Sequence, residues 1–322
     1  MVDTHSDDYR PLPEDFLDKD WKVGFGVFYK VGDALNAKFL KFLDYSPSDY
    51  SHLYKVMKDK NHHEFFVHEE ELYNYHRHCL VKNLKLGILQ ESPPTLEVFQ
   101  RVYPIAIRII DDYLEFQASE KILTTLEEIP DLLMEAQTRE PVSLPEIFAI
   151  TRQDNRVATH CVNVGYYCLA LGMDLKMDPK ELRETFVGGL YSDIGKKFIP
   201  DKIMMKQKEL DSEETKVVRK HPSFGRKLLK DMRGFSDIVL NMAREHHENF
   251  DGSGYPHQLK GNRISYHGRI CKIMDVFNAL TCDRSFRKRM TPFQALNLMK
   301  NDFPGHFDPE LLTAFFNSFA LK

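Results

Sequence analysis

The sequence has little cysteine and no long apolar run. Its five cysteines are odd in number and form no C-x-x-C pair, so a secreted disulfide framework is not indicated. No stretch approaches the roughly 18 consecutive apolar residues that a membrane-spanning helix needs. The first residues are acidic and contain no apolar segment of the kind found in secretory signals. These absences predict a cytoplasmic protein with reduced thiols and no membrane span.

An excess of positive charge is also missing. The 44 basic and 48 acidic side chains give a formal net charge of -4, so duplex nucleic acid is not a predicted partner. With 322 residues, of which 42% are hydrophobic and 29% charged, the chain is long enough for two globular domains. Histidine is the abundant residue, with fourteen copies, and the positions of these histidines matter more than their number.

The N-terminal part of the chain has mixed patterning. Residues 1–20 are acidic and contain proline, and we expect a flexible arm. Residues 21–92 are predicted to form a small α+β domain. Within it, KVGFGVFYKV and AKFLKFL alternate like strands, SDYSHLYKVMKD is typical of a short helix with a serine cap, and HHEFFVHEEELYNYHRHCLVKNL indicates a strand followed by a helix.

The rest of the chain is strongly helical, so the predicted fold class is mainly α. Residues 93–140 are expected to form connecting helices, the second of them over about 118–137, and residues 141–322 an all-α bundle. Strand signals are sparse in this bundle. Apolar residues recur with helical period over six of its segments: 156–172, 180–193, 212–231, 235–248, 265–282 and 291–301.

Most of these segments carry a potential metal ligand at or beside the apolar stripe. A lone histidine such as His160 or His221 is more often a hydrogen-bonded structural residue than a ligand. A carboxylate within an apolar stripe is harder to explain, because burying an unpaired charge is very costly, and Asp193 and Asp275 need a cation or many donors. The candidates that a metal centre would unite are His160, Asp193, His221, His246, His247 and Asp275.

The donor atoms of these six residues restrict which metals the site could bind. Imidazole and carboxylate without cysteine suit iron, manganese, zinc, nickel or cobalt rather than calcium. The adjacent His246 and His247 would point about 100° apart on a helix. Both can serve one cluster only if the cluster is wide or the helix ends there. This favours two ions bridged by a carboxylate, a pair that can activate water and clamp a phosphoryl group.

Cations and a turn-rich loop accompany the candidate ligands. Lys196 follows Asp193 by about one helical turn, beside Gly195, and is a natural phosphate contact. Arg284 and Arg287 lie in CDRSFRKRM, where a solvated helix end is an equally good interpretation. The loop FDGSGYP directly follows the double histidine, which favours a wall or lid of the site.

These motifs resemble the HD-GYP domain, the branch of the HD phosphohydrolase superfamily that hydrolyses cyclic di-GMP. The resemblance covers residues 153–318 and does not extend to the N-terminal 140 residues. It implies an HD-type helical bundle, which family members pair with a variable N-terminal sensory or partner-binding module. The matching pieces are THCVNVGYYCLALG, GGLYSDIGKKFIPDKIM, VVRKHPSFGRKLL, EHHENFDGSGYPHQLKGNRI, GRICKIMDVFNALTCDRSFRKRM and GHFDPELLTAF.

The resemblance implies a role for each matching residue. Asp193 corresponds to the carboxylate that bridges two divalent ions, for which iron is the first expectation and manganese the second. Lys196 corresponds to the lysine that contacts the scissile phosphate, and Tyr255 to the tyrosine near a guanine. Arg284 and Arg287 correspond to phosphate-binding residues. The implied metal ligands are His160, Asp193, His221, His246, His247 and Asp275.

Four positions depart from the family pattern. Ser192 replaces the histidine of the His-Asp doublet, and a serine hydroxyl is a poor ligand for a divalent metal. Phe286 lacks the hydroxyl that the family usually has there, and Asn278 stands where an aspartate is common. Arg156 occupies the position where some members carry a third-metal glutamate, so at most two metals are expected.

Two interpretations remain open from the sequence. The first is a phosphodiesterase of bacterial second-messenger signalling that hydrolyses cyclic di-GMP to pGpG or GMP, at a rate reduced by the departures. The alternative is a catalytically impaired protein that binds metal and a cyclic dinucleotide and signals through protein partners of its N-terminal domain. A merely structural descendant would have lost more of the ligand set than the single position of Ser192.

Overall fold

The computed structural model describes residues 2–3, 8–12, 25–31, 38–43, 64–77, 82–116, 120–206, 208–283 and 287–319. The chain divides into two compact units. One comprises Met1–Pro93 and Arg108–Ile129, and the other comprises Pro94–Ile107 and Pro130–Lys322. The first unit contains a β-sheet, and the larger second unit contains the helices that carry the predicted ligands.

The sheet of the first unit has five antiparallel strands in the order β1-β4-β3-β5-β2. Tyr29 in the central strand lies opposite Leu40 on one side and Phe65 on the other. Aromatic residues fill one face, where Tyr9 stacks on Phe39 with ring centroids 4.0 Å apart. The strands are β1 (Val2–Asp3), β2 (Tyr9–Pro11), β3 (Val27–Val31), β4 (Lys38–Leu43) and β5 (Phe65–His68).

The strand predictions for this unit are confirmed at β3, β4 and β5. The helix predicted over SDYSHLYKVMKD lies outside the described residues. The prediction of a flexible arm over residues 1–20 is wrong for residues 9–12, because β2 pairs with β5 and the Tyr9 ring is buried. A single aromatic side chain with a partner in the sheet outweighs the acidic composition around it.

A buried carboxylate links the strands and helices of the first unit. One oxygen of Asp112 lies 2.7 Å from Arg10 Nε, and the other lies 2.8 Å from His76 Nε2. Arg108 Nε lies 3.2 Å from that second oxygen. The helices of this region are α1 (Leu72–Tyr75), α2 (Lys82–Glu91), α3 (Thr95–Glu115) and α4 (Lys121–Thr124).

The second unit confirms the predicted all-α bundle. Five of the six helical segments predicted from periodicity correspond to single helices with similar ends. These helices are α5 (Ile129–Arg139), α6 (Leu144–Ile150), α7 (Val157–Asp174), α8 (Pro179–Tyr191), α9 (Asp201–Met204), α10 (Ser212–Val218), α11 (His221–Met232), α12 (Asp237–Glu245), α13 (Tyr266–Thr281), α14 (Pro292–Asn301) and α15 (Pro309–Phe319).

Two predicted helices are interrupted. The segment 212–231 divides into α10 and α11, because Pro222 has no N–H to continue the hydrogen-bond ladder. The segment predicted as one helix over 118–137 consists of α4, a 3₁₀ turn over Thr125–Glu128, and α5. Helical periodicity survives such a break because the apolar face is still needed, so periodicity alone does not locate it.

Helix α7 is the buried centre of the second unit. Every residue from Ala158 to Gly172 is buried, and α8 packs across it at two glycines. A Cβ atom on Gly189 would lie 2.8 Å from the Cα atom of Gly165, closer than real Cβ atoms come. The two glycines therefore allow the backbones to touch, which brings the end of α8 beside His160.

A second close contact positions the residues after α8. A 3₁₀ turn over Ile194–Phe198 packs against the start of α11. A Cβ atom on Gly195 would lie 2.1 Å from the carbonyl oxygen of His221 and 2.4 Å from the amide nitrogen of Gly225. The absence of a side chain at Gly195 thus allows the turn and α11 to come into backbone contact. Among the described residues, no helix combines the length and apolar character that crossing a bilayer requires.

Candidate metal centre

The six predicted metal ligands come together in the second unit. They arrive from α7, from the turn after α8, from the start of α11, from the end of α12 and from α13. They form two overlapping groups, and in each group one ligand atom per residue lies within 4.8 Å of the others. Asp193 belongs to both groups, the position expected of a bridging carboxylate. The groups are Asp193, His221, His246 and His247, and His160, Asp193 and Asp275.

The two oxygens of Asp193 face different histidines. Oδ1 lies 3.0 Å from His221 Nε2 and 3.6 Å from His246 Nε2. Oδ2 lies 3.2 Å from His160 Nε2. Asp275 closes the other side, with Oδ1 3.0 Å from His160 Nε2 and Oδ2 3.6 Å from His247 Nδ1. Each carboxylate therefore has one oxygen near His160 and the other oxygen near a histidine of the second group, His221 or His247.

The orientation of His221 follows from the break between α10 and α11. In a continuous helix, the N–H of residue 222 would donate to the carbonyl of Val218, but Pro222 has none. The Nδ1 atom of His221 lies 2.7 Å from this carbonyl oxygen and must carry the proton to donate there. The ring is thereby fixed with the Nε2 lone pair directed towards Asp193.

His246 is oriented in the same way by the end of α12. Its Nδ1 lies 3.2 Å from the carbonyl oxygen of Met242 and 3.1 Å from that of Ala243. Both acceptors lie in the last turn of α12, and the Met242 carbonyl also accepts the backbone N–H of His246. Helix α12 ends at Glu245, and both His246 and His247 reach one centre. The end of the helix is thus one of the two conditions under which adjacent histidines can serve one cluster.

His160 depends on a side chain rather than on the backbone. Its Nδ1 lies 2.7 Å from the amide oxygen of Asn278 on α13. An amide oxygen accepts a hydrogen bond as a carboxylate oxygen does, so Asn278 can fix the tautomer of His160 with Nε2 directed at Asp193 and Asp275. Such orienting contacts are typical of metal-binding histidines.

This arrangement of lone pairs fits a cation. The Nε2 atoms of His221 and His246 lie 3.1 Å apart, and both rings carry their proton on Nδ1 when neutral, so two lone pairs face each other. Within the described residues, Asp193 Oδ1 and His160 Nε2 are buried without a hydrogen-bond partner. Ligands about 2.1 Å from one ion are separated by about 3 Å at right angles. The donor set therefore fits a divalent metal.

The local electrostatics keep these groups in their metal-binding forms. Burial opposes ionisation of Asp193, but the Lys196 ammonium and the His221 imidazole outweigh it, and the pKa of Asp193 is held well below its usual value. Burial is likewise outweighed at Asp275 by His247 and His160, which lower its pKa. Burial lowers the pKa of both His221 and His247. Ionised carboxylates and neutral imidazoles are the forms that bind metal.

The neighbours of Asp193 have opposite roles. The Lys196 ammonium donates to Asp193 Oδ2 over 2.5 Å, which places a cation at the centre. The Ser192 hydroxyl is buried and donates to the carbonyl oxygen of Gly189 over 2.9 Å. Ser192 thus satisfies the end of α8, while Asp193 belongs to both ligand groups. The predicted contact of Lys196 with a phosphate remains a prediction.

Tyr255 lies at the edge of the centre. Its ring stacks on His247 with centroids 4.8 Å apart and planes 23° apart, and its amide donates to the His247 carbonyl oxygen. Arg219 Cζ lies 5.0 Å from the centroid of the Tyr255 ring. These contacts place Tyr255 of the loop FDGSGYP beside His247. The role of the loop as a wall or lid of the site and the guanine contact of Tyr255 remain predictions.

Glu248 is a site residue that sequence reasoning missed. Its buried carboxylate accepts hydrogen bonds from the amides of His257, at 2.7 Å, and Leu259, at 3.0 Å. It thereby holds the loop that carries Tyr255. The available signal was a carboxylate directly after the double histidine, at a helix end where the other side chains turn inward.

The two predicted phosphate-binding arginines have different outcomes. The Arg287 guanidinium donates to the carbonyl oxygens of Ala279, at 2.6 Å, and Leu280, at 3.0 Å, near the end of α13. This is the helix-end contact that formed the alternative interpretation of CDRSFRKRM, and a phosphate contact for Arg287 remains a prediction. Arg284 and Phe286 lie outside the described residues. Arg156 pairs with Asp154 at 3.2 Å.

Comparison with known families agrees with this centre. The family model described as "HD domain" matches residues 117–311, which is more than half of the chain. The chain belongs to the HD domain family. The match includes all six candidate ligands, so the family and the cluster together indicate a divalent metal site.

Several curated proteins are similar to this chain. A protein of Pseudomonas aeruginosa named as a cyclic di-GMP phosphodiesterase is 34% identical over 188 residues, which cover 58% of this chain and 45% of that protein. A Vibrio cholerae protein named as a 3'3'-cGAMP-specific phosphodiesterase is 32% identical, with 51% and 32% covered. A Xanthomonas campestris cyclic di-GMP phosphodiesterase response regulator is 30% identical, with 56% and 48% covered. The chain spans less than half the length of each.

One solved structure extends the similarity to nearly the whole chain. An HDG"Y"P protein from Bdellovibrio bacteriovorus matches with a TM-score of 0.64 at 18% identity and covers 96% of this chain and 99% of its own. This likeness confirms the predicted fold, a helical HD-type bundle with a smaller N-terminal α+β part.

Proposed function

We propose that this protein is a metal-dependent phosphodiesterase that hydrolyses cyclic di-GMP in bacterial second-messenger signalling. The observation that carries the proposal is Asp193, whose carboxylate is shared by two groups of metal ligands. A shared carboxylate is what a two-ion centre needs, and such centres suit in-line displacement at phosphorus. Bound divalent ions would supply the Lewis acidity that activates water and neutralises phosphate charge.

The side chains of this protein have defined parts in the proposed reaction. Asp193 and Asp275, which both lie within 3.2 Å of His160 Nε2, would hold the ions. A new bond forms between the water oxygen and phosphorus, and the bond from phosphorus to the ribose 3' oxygen breaks. Lys196 lies on Asp193 and is close enough to the centre to donate a hydrogen bond to the leaving oxygen. The product is the linear dinucleotide pGpG, and a second hydrolysis would give GMP.

The relatives support this substrate class. The Pseudomonas aeruginosa and Xanthomonas campestris proteins carry the name cyclic di-GMP phosphodiesterase, whereas the Vibrio cholerae protein carries a 3'3'-cGAMP-specific name. All three names describe hydrolysis of cyclic dinucleotides that contain guanine. They favour an enzyme over the impaired receptor, and the choice between the two dinucleotides belongs to the experiment.

The metal content is part of the proposal. We assign two divalent ions. Imidazoles and carboxylates without thiolate suit iron, manganese, zinc, nickel or cobalt, and the resemblance to the HD-GYP domain makes iron the first expectation and manganese the second. Arg156 is paired with Asp154 and does not offer the carboxylate that a third ion would need. The described cysteines are buried and form no disulfide, which supports a reducing compartment and hence the cytoplasm. A protein partner for the N-terminal unit remains a prediction.

The proposal is tested by metal analysis and turnover together. Protein purified without oxygen and loaded with iron or manganese should contain about two ions per chain and convert cyclic di-GMP to pGpG. Asp193→Asn should lose most of the metal and most of the activity, because it removes the shared charge. Asp231→Asn, at an exposed position on α11, is the matched control and should keep both. Metal without turnover of either dinucleotide would overturn the enzymatic function in favour of the receptor.

Ser192→His tests whether the missing doublet histidine limits the rate. An imidazole at this position would restore a potential ligand, but the serine side chain is buried, so the larger ring must displace its neighbours. If the absent ligand limits catalysis, turnover per bound metal should rise in this variant. Unchanged turnover per metal would place the limitation elsewhere, with Phe286 as the next position to change.

A further inference from the structure

Arg219 is a cation beside the centre that the proposed chemistry does not use. It follows α10 and precedes the ligand His221 by two residues. Its guanidinium carbon lies 5.0 Å from the centroid of the Tyr255 ring, and that ring stacks on the ligand His247. Arg219 is therefore two residues from His221 along the chain, and only the Tyr255 ring separates it from His247.

Among the described residues, none of the guanidinium N–H donors of Arg219 is engaged, whereas Lys196 and Arg287 each already use at least one donor within the protein. Lys196 donates to Asp193, and Arg287 donates to carbonyl oxygens at the end of α13. Arg219 is exposed, and across the part of the chain that the structure describes its side chain has no hydrogen bond and no ion pair. The cation–π contact with Tyr255 restricts the guanidinium without occupying its N–H groups.

The proposed substrate supplies a partner for such a group. A cyclic dinucleotide carries two phosphodiesters in one covalent ring, so the second phosphate must lie near the centre whenever the first is cleaved. A guanidinium with free donors binds a phosphate through two parallel hydrogen bonds, and little orientation entropy is lost when an aromatic ring already holds it.

We propose that Arg219 is a specificity-determining residue that binds the second, uncleaved phosphate of the cyclic dinucleotide. This inference rests on the proposed function. It explains how the centre would prefer a cyclic dinucleotide to a simple phosphodiester, since recognition of the second phosphate is independent of the groups that act on the first. Arg219 contributes to substrate binding and makes no contact with the scissile bond.

Three substrates separate this role from the alternatives. Cyclic di-GMP has two guanines and two phosphates, the linear dinucleotide GpG has two guanines and one phosphate, and bis(p-nitrophenyl) phosphate has one phosphate and no guanine. With manganese-loaded protein, Arg219→Ala should raise KM for cyclic di-GMP about tenfold to hundredfold, the range for a lost charge-assisted contact. The kcat for cyclic di-GMP and the kcat/KM for the other two compounds should stay within about twofold of wild type.

The controls address charge and structure. Lys220→Ala removes the adjacent exposed cation and should leave KM for cyclic di-GMP unchanged. Arg219→Lys keeps the charge without the paired donors and should give an intermediate KM. Metal content and the unfolding temperature of each variant establish that the centre is intact.

Each other result overturns the inference. A parallel loss with bis(p-nitrophenyl) phosphate would mean that Arg219 acts by supporting Tyr255 and His247. A parallel loss with GpG alone would mean a guanine contact, and wild-type constants in Arg219→Ala would mean no contact. Wild-type protein that neither binds nor cleaves cyclic di-GMP, while it still hydrolyses bis(p-nitrophenyl) phosphate, would overturn the proposed function itself.

Discussion

At the residue scale, Ser192 and Asp193 show how adjacent side chains separate into structural and chemical roles. Helix α8 ends at Tyr191, and the Ser192 hydroxyl donates back to the Gly189 carbonyl oxygen. Asp193 has left helical geometry, with φ of -99° and ψ of 5°, and its carboxylate turns to the histidines. The hydroxyl of Ser192 therefore satisfies the end of α8, whereas the carboxylate of Asp193 faces the candidate ligands.

Ser192→Ala should leave the metal centre intact. The variant loses one buried hydrogen bond, with a cost of about 1 kcal/mol in the free energy of unfolding. Metal content and turnover per metal should match wild type, because the hydroxyl contacts Gly189 and no ligand. Thr185→Ala is the matched control, since Thr185 on the same helix donates to the Glu181 carbonyl oxygen. A selective loss of metal in Ser192→Ala, measured by mass spectrometry, would contradict this assignment.

At the element scale, breaks in helices orient the histidines. The carbonyl of Val218 accepts from His221 because Pro222 cannot donate to it, and the carbonyls of Met242 and Ala243, in the last turn of α12, accept from His246. In both cases a backbone acceptor near a helix end fixes a tautomer. The helix ends are therefore part of the centre, although they contribute no ligand atom.

Pro222→Ala should weaken metal binding. The new N–H can donate to the Val218 carbonyl oxygen, so it competes with His221 Nδ1 for the acceptor that orients the ring. We expect metal affinity to fall about tenfold, the lower end for loss of an orienting contact. Pro179→Ala removes another first-turn proline, at α8, and should keep wild-type affinity. Equal affinities of the two variants in metal titrations would contradict the role of the break.

Gly195→Ala should separate the turn after α8 from α11. The added methyl group would lie 2.1 Å from the His221 carbonyl oxygen, so the backbones must move apart, with a cost on the order of 3 kcal/mol. Gly225→Ala adds a methyl group to the opposite side of the same contact at 3.3 Å and should cost less. Denaturant unfolding measures both variants, and a larger loss for Gly225→Ala would show that the contact is misassigned.

At the scale of the whole molecule, the two compact units differ in what they bury. The helical unit buries most of the six candidate metal ligands, whereas the unit with the sheet buries a network around Asp112. Arg10 from β2, His76 after α1 and Arg108 from α3 converge on this carboxylate. The network makes the stability of the first unit sensitive to protons at His76, independently of any metal.

The contribution of His76 to stability should fall in acid. Burial lowers its pKa below the usual value, while Asp112 opposes this and Arg108 and Arg10 reinforce it. The unfolded chain therefore takes up a proton near pH 6.5 that the folded chain resists, so stability falls as the pH drops below about 6.5 and is constant above it. His76→Gln, which still donates to Asp112 but does not titrate, should lose less stability between pH 7.5 and 5.5. Parallel unfolding curves of the two proteins over this range would contradict the prediction.

How well a feature of this protein could be predicted from the sequence depended on how far apart in the chain the interacting residues lie. The six ligands, the all-α bundle and most helix limits follow from residue types and local periodicity. Strand β2 did not, because its only apolar aromatic residue, Tyr9, finds its partner in Phe39 thirty residues later. Glu248 was missed for the same reason, since its role consists of contacts with amides nine and eleven residues away.

The sequence by itself determined which donors exist and that buried carboxylates such as Asp193 and Asp275 require a cation or many hydrogen-bond donors. Those conclusions depend on side-chain chemistry and on the cost of burying charge, which are independent of the path of the chain. Only the tertiary structure decided that Asp193 is shared by two ligand groups, that Ser192 turns to Gly189, and that Arg219 lies over Tyr255. These facts depend on close backbone contacts and helix ends, whose geometry is set by packing between segments that are distant in the chain.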